Sequence, residues 1–273
     1  YLKSNNIFFW HKKCVRRDGT KWNNNVGGKM ETTSFIALSR QSSLRRELNV
    51  VANNIANMNT VGFKGERMMF VEHLVKSRGG EQMLGDKLSY VRDISTMHDL
   101  SDGPLEQTGN PLDVAITGDG YFIIQTEFGD RYTRNGRFQL DEGGQLVTKS
   151  GDPVLSDGGQ PFFFAPGEAN ISIARDGTVS TRNGSLGRLA VVNFDNQQQL
   201  RPDISGLYAS ETQANPVEVP NISQGVLEGS NIQPIVEMSR LIEVQRKYEG
   251  VRKFLDKEDE RMRKMLRDLS EVA

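Results

Sequence analysis

The sequence predicts an α+β protein: long N- and C-terminal helices of coiled-coil type flank a mainly antiparallel β domain, a small barrel or sandwich. Three observations predict it. Apolar residues step by three and four near both ends, turn residues cut the middle into short apolar runs, and glycine is enriched. At 273 residues the chain is long enough for one or two domains with a real core. Glycine supplies 27 of them, well above the usual ~7%, and the turn-rich middle accounts for the excess.

The first helix is expected over residues 34–58. Leu44, Leu48, Val51, Ile55 and Met58 fall on one face at the coiled-coil period. Thr33 or Ser34 can cap its start, and the run Asn57-Met58-Asn59-Thr60-Val61-Gly62 marks its end, because Asn and Gly tolerate the left-handed backbone. Residues 65–105 form a connecting segment with no clean period. Met68, Met69, Phe70, Val71, Leu74 and Val75 suggest extended or short helical structure, and 77–81 reads as a loop.

Residues 110–229 carry the β pattern. Leu112, Val114 and Ile116 alternate, Gly118-Asp119-Gly120 turns, and Tyr121-Phe122-Ile123-Ile124 is a buried strand. Further turns are expected at Asn135-Gly136, Gly143-Gly144, Gly151-Asp152-Pro153, Gly158-Gly159, Asp176-Gly177 and Asn183-Gly184.

The last helix is expected over 233–272. Leu241, Val244, Tyr248, Val251, Leu255, Glu258, Met262, Met265 and Leu269 keep the same steps, with Glu258 the one charged member. Outward pairs such as Glu249/Lys253, Asp259/Arg263 and Glu260/Lys264 stand in the favourable order for a helix surface. A helix of ~40 residues is ~60 Å long, too long to be covered by the β domain alone. Its partner is the N-terminal helix, other copies of the chain, or both.

Composition bounds the function. Net charge is −1, with a sequence isoelectric point near 6.4, so a general electrostatic grip on nucleic acid is not expected. Mean hydropathy is −0.52, and no run approaches the ~18 apolar residues of a membrane span. One cysteine gives no disulfide framework and no cysteine zinc site. His73 and His98 lack metal-ligand spacing, and Asp99, Asp102 and Glu106 lack the alternation of a calcium loop. No nucleophile elbow, Walker loop or dinucleotide fingerprint occurs. No catalytic, cofactor or metal residues and no small-molecule substrate are therefore expected.

Residues 1–29 differ from the rest. They hold both tryptophans, Cys14, and seven basic residues against Asp18, a net of +6 that leaves −7 for the remainder. Ile7-Phe8-Phe9-Trp10 is too short for the apolar region of a signal peptide, about 7–15 residues. The expectation is a non-native or mis-started leader before Met30, with a basic membrane-seeking tail as the alternative.

The segment Ala52-Asn53-Asn54-Ile55-Ala56-Asn57-Met58-Asn59-Thr60-Val61-Gly62-Phe63-Lys64 resembles the N-terminal motif of the bacterial flagellar rod and hook proteins. Two further likenesses follow in that family's order. Leu112–Phe122 and Tyr132–Phe138 resemble the entry into its β domain, and Gly229–Ile232 with Met238–Glu249 resemble its C-terminal motif.

The resemblance implies a structural subunit of the basal-body rod, carrying torque from motor to hook for motility. It implies self-assembly through terminal helices, with other copies and other flagellar rod proteins as partners. It also implies passage through the flagellar export apparatus without a cleaved signal peptide, to a rod that spans the periplasm. Length from Met30 and a single β domain exclude the hook, and Gly250 with the charged Lys253–Arg267 extension resembles the proximal-rod branch, with the distal rod as the alternative. Outside the family, a cell-envelope binding module with coiled ends would explain the helices and the β core but not three motifs in order.

Overall fold

A computed structural model describes residues 25–76, 87–165, 171–203 and 206–271. The expected loop at 77–81 and the leader up to residue 24 lie outside the described residues. Two helices, α1 (Asn25–Ala56) and α2 (Pro234–Glu271), enclose all the strands in sequence. α1 begins nine residues before the expected start and stops before Met58, which sits in the turn that follows. Pro234 opens α2, where its missing N–H costs nothing, and Glu237 places a carboxylate in the positive first turn.

The helices pack antiparallel. Glu47 meets Arg240 at 3.1 Å, Gln41 donates to the Tyr248 hydroxyl at 3.5 Å, and Asn54 reaches Glu237 at 3.4 Å, so α1 descends as α2 climbs. Leu44 and Val51 on α1 are buried, as is Val244 on α2. Leu48, Ile55, Leu241, Tyr248, Val251 and Leu255 are half-buried, and Glu258 joins them while pairing with Arg261 at 2.6 Å. The stepping seam therefore holds to residue 258. Beyond it Met262, Met265 and Leu269 are exposed, 64% for Leu269.

The connecting segment is a long antiparallel hairpin, β1 (Glu66–Lys76) with β2 (Lys87–His98), packed beside α1. Its register shifts between Met69 and Phe70, a bulge that breaks the alternation and hides a strand from a period-two reading.

Then come β3 (Leu105–Gln107), β4 (Val114–Ile116), β5 (Tyr121–Thr126) and β6 (Gly129–Thr133). Every strand pairing among the described residues is antiparallel: β3 takes Val226–Glu228, β4 takes Ile222–Gln224, and β5 and β6 lie at the centre of a six-stranded sheet. The β unit thus reaches back to Leu105, since β3 needs the strand just before α2.

β5 explains why an unbroken apolar run can be a strand. Phe122 and Ile124 enter the main core with Val114, Phe138, Leu146, Val154, Phe162, Val179 and Leu189. Tyr121 and Ile123 face a second, aromatic cluster of Phe194, Leu200, Tyr132 and Tyr208. Both faces of the strand are covered, so alternation disappears. The same holds for β4, whose Val114, Ala115 and Ile116 are all buried. Neither core cluster contains a helix residue.

Candidate assembly site

The Asn-rich motif ends α1 and builds the junction where helices, hairpin and β unit meet. At the last turn, Asn57 Nδ2 donates to the Asn53 carbonyl at 3.0 Å and to Asn53 Oδ1 at 2.9 Å. Thr60 Oγ1 then donates to Asn57 Oδ1 at 3.1 Å. The Asn53 carbonyl already accepts the Asn57 N–H at 3.1 Å, so the side-chain bonds add a second tie across the last turn.

Asn54 does something different. Only 1% exposed, its amide copies a peptide: Nδ2 donates to the Glu66 carbonyl at 2.8 Å and Oδ1 accepts the Glu66 N–H at 3.0 Å. Glu66 is the first residue of β1, paired with His98 at the end of β2. On the other edge Gln198 repeats the trick, accepting the His98 N–H and donating to its carbonyl, both at 2.8 Å. A third amide, Asn231, accepts from Gly65 N–H at 2.8 Å and donates to the carbonyls of Asp99 and Ser101. Three side-chain amides therefore hold the base of the hairpin where strands would otherwise add.

Asn54→Ala is expected to lower stability by about 2–3 kcal/mol, because it leaves the Glu66 peptide groups and the buried Glu237 without their partner. Urea unfolding followed by circular dichroism checks it; an unchanged midpoint refutes the role.

Gly62 makes the turn possible. Its φ is +69°, and a Cβ there would lie 2.5 Å from the Arg134 carbonyl carbon, so backbone passes directly over backbone. Its N–H donates to the Glu228 carbonyl at 2.8 Å.

Lys64 then turns inward rather than to solvent. It is 3% exposed, with Nζ 2.6 Å from Glu228 Oε1 and 2.8 Å from the Ser101 carbonyl. Glu228 also accepts the Gly103 N–H at 3.0 Å and Arg134 Nη1 at 3.4 Å. Arg134 reaches the Gly118 carbonyl at 2.6 Å and lies over the Tyr121 ring, 5.3 Å from its centroid. Asp102, exposed, stands 3.7 Å from Lys64 and balances the second cation. Burial raises the Tyr121 and Tyr208 phenols above their ordinary values, so both stay neutral, and the Tyr121 hydroxyl donates to Gln197 Oε1 at 3.1 Å. Asp99 is held below its usual range, chiefly by the Ser101 hydroxyl.

Of the motif, Asn53, Asn54, Asn57, Thr60, Gly62 and Lys64 carry the junction, and Phe63 contributes backbone to it. Ala52, Ala56 and Asn59 are exposed. Arg134 and Asn231 fall inside the likenesses at Tyr132–Phe138 and Gly229–Ile232 without a role of their own, and Glu228, Glu237 and Gln198 were not singled out from the sequence. The signal for Glu228 was present: a carboxylate closing the apolar run Val226-Leu227, just before Gly229, points inward and needs a cation.

Three family descriptions match this framework. "Flagella basal body rod protein" covers residues 36–64, "Flagellar hook protein FlgE/F/G D1 domain" 115–181, and "Flagellar basal body rod FlgEFG protein C-terminal" 223–268. A curated FlgF, the flagellar basal-body rod protein of Caulobacter vibrioides, is 39% identical over 246 residues, which is 89% of this chain and 100% of the relative. The chain belongs to the flagellar basal-body rod family. FlgF of Rhizobium meliloti is 37% identical over 81% of this chain and 91% of its own length. FlgG of Buchnera aphidicola (from Schizaphis graminum) is 36% identical over 80% and 92%. Within the rod family the chain is of FlgF type, and its place is structural. The first and last matches fall on α1 with its motif and on α2, the two elements that the junction brings together. Among the described residues no helix is long and apolar enough to cross a membrane.

Proposed function

We propose that this rod protein is a subunit of the proximal rod, assembling with copies of itself and with other flagellar rod proteins through α1 and α2. In that role it carries torque from motor to hook across the periplasm. The observation that carries the reading is the apolar surface its own fold does not cover. Ile235, Met238 and Ile242 on α2 are 81%, 47% and 52% exposed, and Leu266 and Leu269 stand out at its far end. Burying each such side chain is worth roughly 1.5–3 kcal/mol, available only when a neighbour arrives. The junction supplies the other requirement, since charges and amides that are buried and paired fix how the helix pair meets the β unit. We further propose that the chain leaves the cell through the flagellar export apparatus without a cleaved signal peptide.

Purified basal bodies test the placement. Mass spectrometry is expected to find the tryptic peptide Asp93–Arg131, and a strain lacking the chain is expected to build rods that stop before the hook. The peptide Trp22–Lys29 reports on the leader, because Met30–Arg40 is released from either start. Complete hooks in the deletion strain would refute the proximal-rod placement.

A further inference from the structure

Gly250 lies in the interior of α2, where glycine is less stable than alanine. Nothing in the chain's own packing demands it: a Cβ at Gly250 would meet no atom within 4 Å. The space above it is a groove of about 400 Å³ between the helices. Ile36, Ala37, Val251 and Phe254 give it an apolar floor and wall, and Arg40 and Lys247 stand at its rim. Lys247 shares its ammonium with Glu243, 2.6 Å away. The groove is thus an apolar notch, wide enough for one aromatic ring, under positive charge.

The same chain carries a matching knob. Phe128, at the tip of the β5–β6 hairpin, is 81% exposed and is flanked by Glu127 and Asp130. The tip is braced rather than loose. Thr126 Oγ1 donates to the Gly129 carbonyl at 2.7 Å and accepts the Phe128 N–H at 3.3 Å, and Arg131 donates to the Phe128 carbonyl at 3.2 Å. The aromatic ring is therefore presented outward at little further cost in ordering. Among the described exposed apolar residues, Phe128 alone combines an aromatic ring with carboxylates on both sides.

We infer that the Gly250 notch receives the Phe128 tip of a second copy, with Glu127 and Asp130 meeting Arg40 and Lys247. Knob and notch are different surfaces of one chain, so the contact is head-to-tail and can repeat from copy to copy, as a filament requires. The inference rests on the self-assembly proposed above and adds which surfaces meet.

The test uses the full chain with Phe128 replaced by the photo-crosslinking amino acid p-benzoylphenylalanine, mixed with ¹⁵N-labelled unsubstituted chain and concentrated until it sediments as assembly. Irradiation is expected to join the probe to labelled Met30–Arg40, Tyr248–Arg252 or Phe254–Lys257. Gly250→Leu, whose Cβ meets no atom within 4 Å and whose side chain occupies the notch, is expected to cut that yield at least tenfold while helix content holds. Assembly with crosslinks elsewhere, or with yield unmoved by Gly250→Leu, overturns this contact and leaves self-assembly standing. Failure of the unsubstituted chain to assemble at any concentration overturns both.

Discussion

Glu228→Ala is expected to lower the unfolding free energy by about 3–5 kcal/mol, the usual cost of removing one member of a buried ion pair. The geometry makes this site an unfavourable case for relaxation. Glu228 is 2% exposed, and it is the buried anion between Lys64, 3% exposed, and Arg134, also 3% exposed. Without it Lys64 keeps only the Ser101 carbonyl and the outlying Asp102, and Arg134 keeps backbone carbonyls and the Tyr121 ring but no anion. Neither can follow water outward, because Gly62 and Gly103 hold backbone directly over the cluster. Glu228→Gln is expected to fall short of rescue, since it keeps the shape but not the charge. Removing Lys64 together with Glu228 is expected to cost less than the sum of the two single changes, because a cation is then no longer stranded. Urea unfolding by circular dichroism reads all four. A Glu228→Ala chain within 1 kcal/mol of the parent, on the order of the extrapolation error, would remove the ionic cluster from the account of the junction.

Much of this architecture is legible without coordinates, and the gaps have physical causes. Both helix seams were readable because steps of three and four survive wherever one face is buried, as Leu44, Val51 and Val244 show. Where burial ends the pattern misleads, as it does from Met262 on, since periodicity reports a face but not what covers it. The β1–β2 hairpin stayed ambiguous because its bulge at Met69/Phe70 breaks the alternation on which recognition depends. Half of the junction was legible. Local chain reversal needs Gly62, and a helix end favours Asn57, so their chemistry is written in neighbouring residues. The other half depends on partners far away: Glu228 is 164 residues from Lys64 and 94 from Arg134. No local period encodes such pairing. The amide clamps are subtler still, since Gln198 and Asn231 look like ordinary polar residues until the outer edges of the Glu66–His98 pair, and Gly65 before it, are seen to take side-chain amides in place of a further strand.

Val244→Asp is expected to separate the helices and abolish motility while leaving the β unit folded. Val244 is 2% exposed in the seam against α1, level with the buried Leu44. A carboxylate there forfeits the ~1.5–3 kcal/mol of a buried valine and adds several kcal/mol for desolvating an unpaired charge. Arg240, one turn earlier on the same helix, is already committed to Glu47 across the seam. Leu48 and Leu255 are half-buried, so Asp at either can lean toward water and is expected to act more weakly in the same direction. The β unit should not notice, because its two core clusters contain no helix side chain. Circular dichroism should therefore lose helical signal and keep the β component, and cells should be non-motile. Ser239→Asp, on the outward face, separates seam from surface: it leaves the helix pair intact, so any motility loss there belongs to contacts between copies. Normal swimming with Val244→Asp would mean that pairing of α1 with α2 is not what the rod requires.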